Sequence, residues 1–435
     1  MTNDLSKSPV LVRIGVLGCG NVGAPLVDLI ASQGPDIEAR TGLRLEVTRV
    51  AVRNLAKPRA ITLPPDRLTT DAPSIVADPE VDLIVELIGG LEPARTLILA
   101  ALGAGKPVIT GNKELLATAG AELFQAAESA GVDLLFEAAV AGGIPIIRPL
   151  RESLVGERIL RVMGIVNGTT NYILTRMSEA GASYADALAE AQALGYAEAD
   201  PTADVEGYDA GAKAAIIASI AFGVEVTAAD VHHEGISGIT ATDIAFAQRM
   251  GYVIKLLAVA EQDDAGEISV RVHPTMVPLE HPLAAVRESF NAVFVEGAAV
   301  GEVMFYGRGA GGLPTASAIL GDVVDAAVNH HRGSHATVGR LGVARFRSVH
   351  EVESAYYLNM QVLDRPGVLA QVAGVFGTHR VSIRSMEQVG MGEEARLIFI
   401  THQARGADVL ATLDALSALS AVERIGSVLR VIGRD

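Results

Sequence analysis

The hexapeptide Gly18-Cys-Gly-Asn-Val-Gly23 constrains this chain more than any other feature. It follows a β-rich run at Leu11–Leu17 and opens a stretch whose apolar residues recur at helical spacing through Ile30. Strand, tight turn and helix is the setting in which G-x-G-x-x-G binds a dinucleotide rather than merely turning. Gly18 permits the turn, Gly20 lets backbone approach a pyrophosphate, and Gly23 lets the helix lie against the strand, while the helix N-terminus attracts phosphate charge. Cys19 reads as a small tolerated side chain rather than a redox switch. Further strands are expected at Leu43–Val52, Val81–Ile88 and Lys106–Thr110, with helical segments between, and one more buried strand at Val132–Val140. This alternation predicts an α/β fold with a Rossmann-type, doubly wound parallel sheet.

Beyond about Ile144 the alternation ceases. Strand-like runs at ERILRVMGIV, GYVIKLLAVA, EISVRV and NAVFVEG, interrupted by helices, predict an α+β substrate and dimerisation domain. GRGAGG resembles a loop that closes over something bound, and the helix after it, from Pro314 to about His330, is expected to return to the first domain. Gly and His enrichment over His330–Gly342 marks a linker. The remaining order of strand, helix, strand, strand, helix, strand predicts a ferredoxin-like unit. The expected domains are 10–143 with 313–335 returning to it, 144–312, a linker at 336–354, and 355–435.

At 435 residues the chain exceeds one ordinary core, and its 49% hydrophobic content fills more than one. A net charge of -16 disfavours nucleic acid and anionic membrane surfaces. The single cysteine excludes an intrachain disulfide framework and fits a reducing compartment. No apolar run reaches the roughly 20 residues of a membrane span, and MTNDLSKSPV lacks the apolar core of a signal peptide, so a cytoplasmic location is expected.

An NAD site usually ends its second strand in a carboxylate for the ribose hydroxyls. Here the strand ends in Arg53 and Asn54, with Lys57 and Arg59 behind, which suits a 2′-phosphate or is simply a solvated basic turn. NADP(H) is therefore favoured over NAD(H). The segment GYAEADPTADVEGYDAGAK gathers Glu198, Asp200, Asp204, Glu206 and Asp209 ahead of Lys213. Asp209 and Lys213 stand one helical turn apart, either as a surface ion pair or as a proton-transferring lysine held by a carboxylate, with neighbouring acids ready for a substrate ammonium group. Lys113, in TGNKELLATAG at the carboxyl edge of the sheet, is a second candidate; alternatively Asn112 caps a helix and Lys113 faces water. NGTTNY, Asn167–Tyr172, offers N–H and hydroxyl groups at a helix start for a carboxylate or oxyanion, or is only a capped helix. None of the ten histidines has metal-ligand spacing beyond the adjacent His232–His233 and His330–His331, so no zinc site is expected.

Taken together, GCGNVG, TGNKELLA, FEAAVAGGIPII, NGTTNYIL, GYAEADPTADVEGYDAGAKAAI and GRGAGGLPTA resemble, in order, the motifs of homoserine dehydrogenase, from about Val10 to His350. The terminal segment, with YYLNMQVLDRPGVLAQVAGVFG, is similar to an ACT domain, and the resemblance leads one to expect the single-activity form of the family, without a kinase before the first strand. The resemblance implies reversible NAD(P)H-dependent reduction of L-aspartate 4-semialdehyde to L-homoserine, in threonine, methionine and isoleucine biosynthesis. It implies Lys213 as proton donor and Lys113 beside nicotinamide and substrate. Glu198, Asp204 and Asp209 become contacts to the substrate or to the lysines, with Asn167, Gly168 and Thr169 in the substrate site. Gly18, Gly20, Asn21, Val22, Gly23, Arg53, Gly89, Lys113 and Gly312 are implied for the cofactor. A monovalent cation such as sodium is implied at the carbonyls of Glu137, Val140, Gly142 and Ile144. The ACT turn Asp364–Ala370 suits an amino-acid effector, threonine, or serves only as a dimer contact; a homodimer or homotetramer is expected. Two rivals are a 2-hydroxy-acid dehydrogenase with a terminal ACT module and a non-catalytic amino-acid sensor. The first usually carries its dinucleotide domain inside the chain, and the second has no need of both lysines.

Overall fold

The computed structural model describes residues 9–59, 61, 63–336, 338–391 and 394–433. Of the opening MTNDLSKSPV, residues 1–8 lie outside the described residues, as do the last two residues of the expected terminal domain. Strands β1 (Val10–Leu17), β2 (Leu43–Ala51), β3 (Leu68–Thr69), β4 (Leu83–Glu86), β5 (Val108–Thr110) and β6 (Leu134–Leu135) form one sheet in the order β3-β2-β1-β4-β5-β6. Every pairing in it is parallel. Helices α1 (Gly23–Thr41), α2 (Ala72–Ala77), α3 (Ala94–Gly103) and α4 (Lys113–Ala130) connect these strands. The order reverses between β1 and β4, which places a binding crevice beyond their carboxyl ends.

The apolar run Val132–Val140 does not continue as a strand. Only Leu134–Leu135 pairs with β5; Glu137–Ala139 then form a single tight helical turn. The reason is local: the buried Glu137 carboxylate accepts hydrogen bonds from the backbone N–H groups of Ile146, Ile147 and Arg148, pulling the chain out of the sheet.

The chain then continues through β7 (Ile159–Ile165), α5 (Gly168–Ala180), α6 (Tyr184–Ala193), α7 (Thr202–Val205) and α8 (Tyr208–Phe222). Next come β8 (Val224–Glu225), β9 (His232–His233), α9 (Ala241–Arg249), β10 (Tyr252–Gln262), β11 (Ile268–Pro278), β12 (Phe290–Gly297) and β13 (Gly301–Arg308). Helix α10 (Gly312–Arg332) and β14 (Gly342–Val343) follow. The terminal segment contains β15 (Glu353–Leu363), α11 (Val368–Thr378), β16 (Ile383–Met391), β17 (Glu394–Thr401), β18 (Ala404–Arg405), α12 (Gly406–Ser417) and β19 (Val422–Val431).

These elements fall into two units: residues 1–158, 215–230 and 305–343, and residues 159–214, 231–304 and 344–435. In the first, α10 packs its apolar face (Ala316, Ile319, Leu320, Val323) into the core shared by Val12, Ile14 and Val16 of β1 and Leu26 and Ile30 of α1. In the second, the sheet runs β13-β12-β7-β10-β11-β19-β15-β17-β16. Its last four strands have the ferredoxin-like order, and they join the rest through a short parallel pairing, Thr275 with Arg430 and Met276 with Val431. The terminal segment thus continues the sheet formed by β13, β12, β7, β10 and β11. No helix among the described residues is long and apolar enough to cross a membrane.

Candidate active site

In the first unit, the glycine loop has the conformation its composition demands. Gly18 has φ 106° and its missing Cβ would meet the Leu87 carbonyl at 2.6 Å; a Cβ on Gly23 would lie 2.3 Å from the Gly18 carbonyl. Around Gly20 there is open space, and Val22, the residue before α1, supplies no side-chain cap. Uncapped N–H groups over an open glycine fit a bound pyrophosphate. Gly312, at the start of α10, abuts the same loop: its Cβ would stand 2.2 Å from the Asn21 carbonyl. The turn before it presses Gly309 against Gly142, so GRGAGG packs on two loops of its own unit. Burial pushes the Cys19 thiol up, against the pull of Arg59.

The loop after β4 is organised by a residue the sequence reading passed over. The fully buried Glu86 carboxylate accepts from the N–H groups of Ile88 (2.7 Å) and Gly89 (3.0 Å) and from the Thr110 hydroxyl (2.7 Å). A glutamate inside the run VDLIVELI is the signal that marks it. Asn112 caps α4 by accepting from the Leu115 N–H, and its amide donates to the Gly90 carbonyl, which fixes the half-buried Lys113 at the helix start. Arg53 and Lys57 are exposed beyond β2, whereas Arg59 turns back to donate to the carbonyls of Lys57 and Asn54.

Further along, Val140, Ala141 and Gly142 form a buried turn in which Ala141 and Gly142 both have left-handed φ values of 55° and 54°. Among the described residues, no backbone N–H donates to the carbonyls of Val140 or Gly142. Buried carbonyls without donors fit a desolvated cation. The Glu137 N–H is tied to Asp322, whose carboxyl burial raises to about 7. No group of three or more His, Cys, Asp or Glu side chains gathers to hold a metal among the described residues.

In the second unit, Lys213 is buried on α8. Its ammonium donates to Asp209 Oδ2 (2.7 Å) and to the Val166 carbonyl (2.7 Å) at the end of β7. Asn167 caps α5 by accepting from the Thr170 N–H, while its amide donates to Asp204 Oδ1 (2.6 Å) and Asp209 Oδ2 (2.9 Å). Thr169 donates to the Tyr196 carbonyl, and Gly168 approaches Ser289 so closely that a Cβ would meet its carbonyl at 2.9 Å. Burial raises the Asp204 carboxyl above its ordinary range; the Asn167 hydrogen bond opposes this and the nearby Asp209 charge reinforces it.

Asn167, Asp204, Asp209 and Lys213 therefore form one network, and the side chains of Asp209 and Lys213 are only 10% and 11% exposed. The pair is thus largely withdrawn from the surface. Glu198 is not part of the network: it lies exposed in the turn after α6, its carbonyl accepting from Gln192. Asp200 is an exposed turn residue that accepts from the N–H and hydroxyl of Thr202. His232 shares a hydrogen bond with Glu234, and the His233 ring packs on Tyr208. The strand-borne Lys255, a cation within GYVIKLLAVA that also escaped notice, donates to Asn171 and to the Val286 carbonyl beneath α5; burial lowers it to about 8.

Comparison with known proteins extends this picture. Family models described as homoserine dehydrogenase, NAD binding domain, as homoserine dehydrogenase and as ACT domain match residues 18–137, 145–324 and 356–421. A homoserine dehydrogenase from Corynebacterium glutamicum is 52% identical over 428 residues, covering 97% of this chain and 95% of that protein. The crystal structure of a homoserine dehydrogenase from Thiobacillus denitrificans superposes with a TM-score of 0.91 at 40% identity, over 98% of this chain and 99% of that one. A hyperthermophilic archaeal homoserine dehydrogenase, solved in complex with NADPH, matches 73% of this chain and 98% of its own at 28% identity and a TM-score of 0.62. The chain belongs to the homoserine dehydrogenase family of NAD(P)-dependent oxidoreductases acting on a CH–OH donor, and it carries a C-terminal ACT domain.

Proposed function

We propose that this chain interconverts L-aspartate 4-semialdehyde and L-homoserine with Lys213 as the proton donor and acceptor at the substrate oxygen. The observation that carries the assignment is the buried Lys213–Asp209–Asn167–Asp204 network. Two of the three N–H bonds of the Lys213 ammonium are spent on Asp209 and Val166, which orients the third; a cation there stabilises a developing alkoxide. Asp209 positions the lysine, and Asp204 offers a carboxylate to the substrate ammonium, with Glu198 joining from the neighbouring turn. Asn167, Gly168 and Thr169 shape the substrate site. Lys113 assists at the nicotinamide side.

Gly18, Gly20, Asn21, Val22, Gly23, Gly89 and Gly312 would hold the dinucleotide, which supplies the hydride chemistry when bound. We favour NADP(H): Arg53 stands exposed just after β2, a cation available to a 2′-phosphate, and the archaeal relative was solved with NADPH. The carbonyls of Glu137, Val140, Gly142 and Ile144 would hold a monovalent cation such as sodium, and the Asp364–Ala370 turn an amino-acid effector such as threonine. We further place the chain in a homodimer or homotetramer in the cytoplasm, with domains at 10–143 plus 313–335, 144–312 and 355–435. The test is absorbance at the nicotinamide band with homoserine and each cofactor, with and without sodium and threonine. Homoserine-dependent reduction of NADP⁺ is expected; its absence under all these conditions overturns the proposal.

A further inference from the structure

The second unit contains a cavity of about 380 Å³ between the start of α9 and the terminal four strands. In β15, Tyr356, Leu358, Met360 and Val362 face the core beneath α11 and α12, so the alternate residues Tyr357, Asn359 and Gln361 face the opposite way, toward α9. The register sets a cross-strand row on that second face: Gln361 stands opposite Arg396 of β17 on one side and opposite Arg424 of β19 on the other. Both arginines line the cavity. Strands about 4.8 Å apart put their backbones roughly 10 Å from each other, with one carboxamide between. Like charges placed this way repel unless an anion lies between them.

Among the described residues, the carboxylates that line the cavity are already committed: Glu234 to His232 and Arg430, and Asp243 to the sheet. Asp243, at the start of α9, accepts from the N–H and hydroxyl of Thr240, from Tyr357, from Asn359 and from Ser427. It joins the helix to the sheet, and its five donors offset its charge. Among the described residues, no carboxylate forms an ion pair with Arg396 or Arg424. Ile239 and Ile425 add apolar wall, suited to an organic body rather than a bare ion.

We infer that this cavity is a binding site for a small molecule bearing an oxyanion, carboxylate or phosphate, gripped between Arg396 and Arg424. It is separate from the Asp364–Ala370 turn, which borders a cavity of its own. The wall also has a route to the substrate network. Glu234 and Gly235 line the cavity, and the next residue, Ile236, donates its N–H to the Val205 carbonyl at 2.8 Å, beside Asp204. Gly235 approaches the same carbonyl so closely that a Cβ would lie 2.6 Å from it. If Asp204 acts as proposed above, an occupant is one packed segment from the substrate.

The test is isothermal titration of the full chain, without substrate, with disodium succinate and separately with inorganic phosphate. Saturable binding is expected, weakened about tenfold or more by Arg396→Gln and by Arg424→Gln, largely retained in Arg424→Lys, and unchanged in Asp364→Asn. Tighter succinate binding assigns an organic carboxylate; tighter phosphate binding assigns a free phosphate. Failure of both anions to bind, or binding indifferent to both glutamine variants when these melt like the parent, overturns the inference. Because the readout is heat of binding, its failure leaves the catalytic proposal untouched.

Discussion

Lys213 Nζ lies 2.7 Å from Asp209 Oδ2, one turn back along a single helix, with both side chains buried. At such a distance the carboxylate fixes where the ammonium points. Asp209→Asn keeps the shape and removes the charge. We expect kcat to fall on the order of 10²-fold with the KM for cofactor nearly unchanged, as read from steady-state kinetics.

Arg53 lies exposed just after β2, so its removal opens no buried core. Arg53→Ala should raise the KM for NADPH about tenfold and that for NADH hardly at all. Equal losses would show that Arg53 does not read the 2′-phosphate.

Gly312 is separated from the glycine loop by nearly 300 positions of sequence, yet a Cβ there would meet the Asn21 carbonyl at 2.2 Å. Backbone cannot yield as a side-chain tip does. Gly312→Ala is therefore expected to displace the loop and raise cofactor KM several-fold, while the Lys213 network, on other elements, keeps its geometry; cofactor titration by fluorescence checks this.

Glu234 links β9 to β19 through His232 (3.0 Å) and Arg430 (2.6 Å). Burial alone would raise its carboxyl, but the His232 hydrogen bond and the Arg430 charge win, lowering it from 4.5 to about 2. A carboxylate lowered on folding contributes stability that is fully present above its unfolded value and is lost as pH falls through the folded one. Melting temperature should thus drop between about pH 4.5 and 2, and Glu234→Gln should flatten this part of the profile.

The glycine loop, the parallel sheet and the Asp209–Lys213 pair were legible because each depends on residues a few positions apart. Strand, turn and helix follow one another directly at Leu17–Gly23, and a four-residue spacing places two side chains together on any helix. Partners chosen across the fold left no such trace. Asn167 is legible as a helix cap or as part of an oxyanion site, but its amide bridging Asp204 and Asp209 depends on contacts 37 and 42 residues away. Val132–Val140 read as a strand because its apolar side chains are buried, but burial in the Glu137-capped turn serves them equally well. Glu86 and Lys255 were visible as charges inside apolar runs, and such residues are worth pursuing because a buried charge requires partners. The pairing of β11 with β19 rests on two residue pairs and had no local signature.

The most direct test of the account is Lys213→Ala, followed by homoserine-dependent turnover and cofactor binding in the same preparation. Loss of turnover by about 10³-fold or more, with NADPH still bound at near-parent affinity, is the predicted result. Turnover close to that of the parent would contradict the account, because no alkoxide would then depend on this lysine.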